Sequence, residues 1–127
     1  MHRSLQEIVA AAAAFTERVA PADAVRLIGD PDTVFVDVRE PPEIAQSGSV
    51  RGALRVPRGV LEFKADPANP AAEPALSSDK KVVVFCASGA RAALAAKSLH
   101  DMGFERVAHI SGGGFEALKQ AGAPIDR

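Results

Sequence analysis

Cys86 is the only cysteine of the 127-residue chain, and its surroundings favour covalent chemistry. It directly follows an apolar run that ends at Phe85, and small residues and one arginine come after it: Ala87, Ser88, Gly89, Ala90 and Arg91. A thiol between the end of a buried strand and the start of a helix faces free backbone N–H groups and a partial positive charge. Small residues let successive N–H groups form an anion-binding nest. The pattern therefore favours the thiolate, the nucleophilic form of cysteine, and predicts a nucleophile at Cys86 with an anion-binding loop over residues 87–91.

The alternative interpretation of Cys86 is a buried structural cysteine, since free cysteines are among the most buried residues. A position within a strand would favour that interpretation, whereas a strand end followed by a tight glycine-containing loop favours a nucleophile. Ser88 is a candidate hydrogen-bond donor to the sulfur anion, or is simply small enough to fit.

Three further charged residues follow predicted strands. Asp37 lies near the end of the run VFVDV (34–38), Arg39 directly follows it, and both are candidates for supporting the site. A structural charge network, with Arg39 paired to Glu43 or to the loop backbone, is favoured over a catalytic role. Arg58 is either a cation that attracts an anionic donor or a solvated surface charge.

The elements that must position these residues alternate along the chain. β-Branched and apolar runs predict strands at 34–38, 53–56, 81–85 and 107–110, and helical signals cover 22–28, 90–102 and 115–121. Such alternation predicts an α/β fold with a central parallel sheet and helices on both faces. Ligands of such sheets bind beyond the carboxyl ends of the strands, where Cys86 would stand.

The first 20 residues predict an additional amphipathic helix. Ser4 and Glu7 form a capping-box pattern, and an apolar stripe follows at helical spacing: Leu5, Ile8, Val9, Ala12, Phe15 and Val19. We therefore expect an N-terminal helix over 1–20 and one domain over 21–127, with the helix as a candidate surface for docking or for a homodimer.

Composition excludes several classes of function. Basic and acidic residues number 15 and 16, so no overall charge favours nucleic acid. The three histidines are scattered without metal-ligand spacing, and no apolar run approaches the ~20 residues of a membrane span. Glu7 and Glu17 flank the apolar residues 8–15, which argues against a signal peptide. We expect a cytoplasmic protein that binds neither nucleic acid, nor membrane, nor a metal ion.

Four segments resemble the rhodanese-like sulfurtransferase family. Residues 86–91 (CASGAR) are similar to its active-site loop, and 37–43 (DVREPPE) to its D-V-R-E-x-x-E segment. Residues 48–53 (GSVRGA) and 113–118 (GGFEAL) are similar to its G-H-I-x-G-A and G-G-x-x-A-W segments. Ser49 and Leu118 depart from the His and Trp of these patterns, at positions that look like turn or packing sites.

The resemblance implies a sulfurtransferase with a rhodanese-like fold. The Cys86 thiolate would take the outer sulfur of thiosulfate or a related persulfide donor and hold it as a persulfide among the loop amides. A thiol, or cyanide in vitro, would then accept it, with no metal or organic cofactor. Arg91 would contact the donor anion or brace the loop, and a protein could serve as donor or acceptor.

Four alternatives stay open. A cysteine phosphatase or arsenate reductase would use a longer C-x5-R loop, whereas the spacing here is C-x4-R. A mercaptopyruvate-type sulfurtransferase would place Thr where Arg91 stands. The fold could also serve as a non-catalytic binding or regulatory module, or as a sulfur carrier for one partner protein.

Overall fold

A five-stranded parallel sheet forms the centre of the protein. The computed structural model describes residues 2–127, and Met1 lies outside the described residues. The strands of this sheet, in spatial order, are β1 (Glu17–Val19), β6 (Val107–Ile110), β5 (Lys81–Phe85), β2 (Thr33–Asp37) and β4 (Leu54–Arg55). Every pairing in it is parallel, which confirms the α/β prediction.

Residues 2–127 contain six helices, five of which lie between strands, while the first precedes β1. They are α1 (Leu5–Ala13), α2 (Pro21–Val25), α3 (Pro41–Ser47), α4 (Leu61–Ala65, after a 3-10 turn at Arg58–Val60), α5 (Ala90–Asp101) and α6 (Gly114–Gln120). None of the helices within residues 2–127 has the length and apolar character needed to cross a bilayer.

The central strand β5 divides the core into two layers, because alternate side chains of a strand point to opposite faces. Val82 and Val84 pack with α4 and α5 on one face, and Cys86 continues this row. Val83 and Phe85 pack with α2 and α6 on the other face. Helices on both faces were predicted, and the two buried clusters confirm them.

The same register brings two strand ends to one edge of the sheet. Asp37 is the register partner of Phe85, and the Val38 N–H donates to the Phe85 carbonyl at 3.1 Å. Arg39 and Cys86 therefore follow directly from neighbouring strands, at the carboxyl edge where the sequence placed them.

The N-terminal prediction needs correction. The Ser4–Glu7 capping box is present, but α1 ends at Ala13, and the expected helix over 1–20 is wrong beyond that residue. Residues 17–19 instead form β1, because strand pairing with β6 and burial of Val19 outweigh helical periodicity. The apolar stripe packs on α5 only in part, and Leu5, Ile8 and Phe15 stay exposed.

A second, two-stranded antiparallel sheet was not predicted. It pairs β3 (Ser49–Val50) with β7 (Ile125–Asp126). Strands of two residues carry no readable period, so neither strand could be predicted from the sequence.

His109 on β6 makes the stability of this sheet dependent on pH. Its buried imidazole shares a 2.8 Å hydrogen bond between Nδ1 and the Thr16 hydroxyl. Burial, with the charge of Arg18 nearby, lowers the pKa of His109 from its ordinary 6.5. The unfolded chain then binds a proton that the native state refuses, so stability falls as pH drops below 6.5.

We predict that His109→Gln removes this component of the pH dependence. Urea midpoints measured between pH 7 and pH 5 should decline less in His109→Gln than in the wild type. His100→Gln, which changes an exposed histidine, is the control and should keep the wild-type decline. An unchanged slope in His109→Gln would contradict this assignment.

Candidate functional site

Cys86 stands where the central strand meets the start of α5. Its side chain is buried, with 1% of the residue exposed, and Sγ accepts the Gly89 N–H at 3.0 Å and the Ala92 N–H at 3.4 Å. Gly89 caps α5 at a φ of +117°, a conformation that side chains disfavour. The geometry directs two backbone dipoles at the sulfur, an arrangement that stabilises an anion there.

The other residues of the predicted loop differ in their exposure to solvent. Ala87 and Ser88 are exposed, while Gly89, Ala90 and Arg91 are partly buried. Ser88 makes no side-chain hydrogen bond within residues 2–127, so of its two interpretations, a donor to the sulfur or a residue small enough to fit, the structure does not form the first.

The first residues of α6 pack against the backbone of the cysteine loop. The Phe115 N–H donates to the Cys86 carbonyl at 2.8 Å. Gly114, at a φ of +52°, is so close that a Cβ atom would come within 2.3 Å of the Cys86 carbonyl oxygen and 2.5 Å of that of Ala87. The cysteine loop therefore depends on backbone packing that only glycine allows.

Arg91 is not a free cation. Its guanidinium forms a bidentate ion pair with Glu43 on α3, with distances of 2.7 and 3.0 Å. The Arg91 bond, followed by a hydrogen bond from the Glu40 N–H, lowers the pKa of Glu43 to about 2. Pairing with Glu43 in turn raises the pKa of Arg91. The pair holds the first turn of α5 against the first turn of α3 and is fully ionised at neutral pH.

Of the two partners expected for Arg39, Glu43 or the loop backbone, Glu43 is wrong. Arg39 is buried and binds Asp37 instead, with Nε at 3.0 Å from Oδ1 and Nη2 at 2.8 Å from Oδ2. It also donates to the Ser47 hydroxyl and to the Gly48 carbonyl. The favoured interpretation of a structural charge network thus describes the contacts of Arg39, although its partners differ.

Phe115 completes the Arg39 cluster. The guanidinium carbon of Arg39 lies 4.0 Å from the centre of the Phe115 ring. Since the Phe115 N–H also binds the Cys86 carbonyl, one chain of contacts runs from the β2 end to the cysteine loop.

The two departures from the family pattern occupy supporting positions. Ser49 is buried and donates its hydroxyl proton to Asp37 at 2.7 Å, and Leu118 is fully buried in the core. Arg58 binds Glu62, which also accepts a bond from Ser98, so Arg58 belongs to a separate network.

An open cavity of about 280 Å³ lies beside the cysteine loop. Residues of α3, α6 and the loop line it: Arg39, Glu43, Gln46, Ser47, Ala87, Phe115 and Glu116. Within residues 2–127 no group of three or more His, Cys, Asp or Glu side chains could hold a metal ion. The chemistry that this arrangement offers is nucleophilic attack by sulfur with backbone stabilisation of the charge.

Sequence reasoning missed the Glu43–Arg91 pair. Its signal was the E-x-x-E spacing of Glu40 and Glu43, which places Glu43 in the first turn of α3. The partner lies 48 residues further along, and only the fold brings the two together.

The protein thus belongs to the class of α/β proteins that have a central parallel sheet. In this protein a cysteine stands in a glycine-containing loop at the carboxyl end of the central strand. A sequence model of the Rhodanese-like domain matches residues 20–121. The chain therefore belongs to the rhodanese-like domain family.

Curated relatives carry two kinds of name. A sulfurtransferase from Allochromatium vinosum is 35% identical over 100 residues, which cover 79% of this chain and 84% of that protein. A tRNA uridine(34) hydroxylase from Mesorhizobium japonicum is 35% identical over 105 residues, which cover 83% of this chain and 33% of that protein. The match thus spans about a third of the length of the hydroxylases.

Solved structures share the fold over most of the chain. A Rhodopseudomonas palustris protein of unknown function, described as a possible tyrosine phosphatase, is 44% identical with a TM-score of 0.91, covering 99% of this chain and 96% of that one. The homodimeric polysulfide-sulfur transferase of Wolinella succinogenes is 35% identical with a TM-score of 0.73, covering 94% and 84%.

We predict that Arg39→Met destabilises the protein by about 3–5 kcal/mol, because it leaves the buried Asp37 carboxylate without its cation. The control Arg51→Met removes an exposed ion pair with Asp126 and should cost at most about 1 kcal/mol. Chemical denaturation of both variants measures the difference. Similar losses in the two variants would contradict the importance of the buried pair.

Gly114→Ala and Gly112→Ala separate close packing from backbone strain. Both glycines have positive φ angles, but a Cβ at Gly112 meets no atom within 4 Å. Gly112→Ala should cost about 1–2 kcal/mol from strain alone. Gly114→Ala should cost clearly more and also change the rate at which iodoacetamide modifies Cys86. Equal free energies of unfolding for the two variants would refute the close-packing argument.

Proposed function

We propose that this protein is a sulfurtransferase that carries a sulfane sulfur as a persulfide on Cys86. The observation that carries the proposal is the pair of backbone N–H groups that bind Sγ at the start of α5. Such preorganised donors stabilise a sulfur anion without a side-chain base. The named sulfurtransferases among its relatives support the same reaction class.

The proposed reaction has two steps, as covalent catalysis requires. The Cys86 thiolate attacks the outer sulfur of thiosulfate, the Sγ–S bond forms, and the S–S bond breaks as sulfite leaves with the electron pair. An acceptor, cyanide in vitro or a thiolate, then attacks the terminal sulfur. The sulfur leaves as thiocyanate or as a new persulfide, and the Cys86 thiolate is restored.

The loop residues 87–91 would bind the donor and the persulfide, and Asp37 with Arg39 would support them through Phe115. Neither role requires a metal ion or an organic cofactor. Because the chain has one cysteine, the second step needs an acceptor from outside the molecule, either a small thiol or a partner protein.

Further expectations remain part of this proposal. A domain over 21–127 stays a prediction, as does a cytoplasmic location. Self-association rests on the homodimeric Wolinella succinogenes relative and on the exposed apolar side chains of the N-terminal segment, Leu5, Ile8 and Phe15.

A phosphatase is the second candidate, because the Rhodopseudomonas palustris relative is described as a possible one. Two observations weigh against it. The C-x4-R loop is one residue shorter than a C-x5-R phosphate cradle, and the Arg91 guanidinium that would bind phosphate already binds Glu43 on both nitrogens.

We predict thiosulfate:cyanide sulfurtransferase activity that Cys86→Ser abolishes. Cys86→Ser keeps a similar side-chain shape and a hydrogen-bond acceptor, so its thermal stability should change little while its activity is lost. Mass spectrometry after thiosulfate treatment should find one added sulfur on the wild type and none on Cys86→Ser.

The other outcomes decide between the candidates. Hydrolysis of an aryl phosphate without any persulfide would establish the phosphatase and refute the sulfurtransferase. Neither activity and no persulfide would indicate a binding or regulatory module. A persulfide that cyanide fails to remove, but a partner thiol removes, would indicate a dedicated sulfur carrier.

A further inference from the structure

Both guanidiniums at the site are already occupied by carboxylates. Arg39 is bound to Asp37, and Arg91 is bound on two nitrogens to Glu43. Glu43 also lines the cavity beside the loop, together with the exposed Glu116. No residue within 2–127 forms an ion pair with Glu116.

Among the residues that line this cavity, the two carboxylates of Glu43 and Glu116 therefore outnumber the one guanidinium of Arg39. The sulfur of Cys86 is stabilised by backbone N–H groups, and these act over a few ångströms. An approaching donor meets the side-chain charges first, and its interaction with them scales with its own charge. A dianion is thus disfavoured twice as strongly as a monoanion by the same surface.

We propose that Glu43 determines donor specificity by holding the Arg91 guanidinium away from the donor, so that the site prefers a thiol-bound sulfane sulfur to the thiosulfate dianion. This inference rests on the proposed sulfur transfer. The favoured donor class is a low-molecular-weight persulfide, R–S–SH, which carries less negative charge than thiosulfate and whose carrier has an ammonium group that the exposed Glu116 attracts. Cysteine persulfide is a representative of this class.

The transfer from such a donor balances without another reagent. The Cys86 thiolate attacks the outer sulfur of R–S–SH, and the new Sγ–S bond forms as the old S–S bond breaks. The thiolate RS⁻ leaves with the electron pair, and the proton remains on the transferred sulfur. Oxidation levels are exchanged between the two sulfur carriers, so no oxidant or reductant is consumed.

Glu43→Gln tests the proposal with the least structural change. Glutamine keeps the oxygen that accepts the Glu40 N–H, so the start of α3 retains its bond, while the charge that holds Arg91 is lost. We expect kcat/KM for thiosulfate to rise about two- to fivefold, mainly through a lower KM, which is the range a partly exposed ion pair can supply. The value for cysteine persulfide should not rise, so the ratio of the two shifts toward thiosulfate.

Two controls identify Arg91 as the source of the effect. Glu116→Gln removes the same charge from the same cavity without touching Arg91, and it should shift the donor ratio less than Glu43→Gln. Adding Arg91→Gln to Glu43→Gln should abolish the gain with thiosulfate. A gain that survives this second substitution, or an equal shift in Glu116→Gln, would overturn the role of the pair.

A chemical probe separates this inference from the proposed function. Iodoacetate and iodoacetamide alkylate the same thiolate but differ by one negative charge. The rate constant for iodoacetate divided by that for iodoacetamide, both at Cys86, should rise about two- to fivefold in Glu43→Gln. The rise should diminish at 1 M salt, where screening acts over about 3 Å.

The outcomes are distinguishable. An unchanged alkylation ratio would overturn the role of Glu43 even if sulfur transfer is confirmed. A wild type that takes up no sulfur from either donor would overturn the proposed function and the donor preference with it. A wild type that strongly prefers thiosulfate to cysteine persulfide would overturn the preference alone.

Discussion

Arg39 connects the end of β2, the end of α3 and the first turn of α6 through one buried guanidinium. It binds Asp37 and the Gly48 carbonyl, and it lies on the ring of Phe115. A buried charge is costly unless its hydrogen bonds are satisfied, and every buried side-chain polar atom of residues 2–127 has a partner. This requirement fixes how the three elements meet, and the cysteine loop rests on them through the bond from Phe115.

The position of the sulfur follows from backbone geometry more than from side chains. β-Strand alternation directs Cys86 toward the face that α5 covers, and the start of α5 supplies two N–H groups. Gly114 lets α6 approach the loop carbonyls from the other side. Backbone groups cannot change protonation near neutral pH, so this stabilisation is constant where a histidine or lysine would titrate.

Sequence patterns could predict the elements whose signals are local. The strands at 81–85 and 107–110 have the predicted bounds, because runs of apolar and β-branched residues favour buried strands. Residues 17–19 were assigned to a helix because Val19 continues a helical stripe, and only pairing with Ala108 to Ile110 makes them a strand. The position of Cys86 between the end of β5 and the start of α5 was predictable from the sequence pattern. The partner of Arg91 could not be predicted. The sequence around Glu43 is the same whether its carboxylate binds Arg39 or Arg91.

The ion pair of Arg91 with Glu43 changes how this site can stabilise an anion. The sequence shows Arg91 as a cation next to a thiol, which would attract any anionic donor. With Glu43 bound to it, the cation instead braces α5 against α3, and attraction is left to short-range N–H groups. In the proposed sulfur transfer, such a site would stabilise a sulfur bonded to Sγ and would do little for a charge at a longer distance. In that proposal, the carrier of the sulfur would be recognised by contacts in the cavity beside the loop, where Glu116 and Phe115 lie.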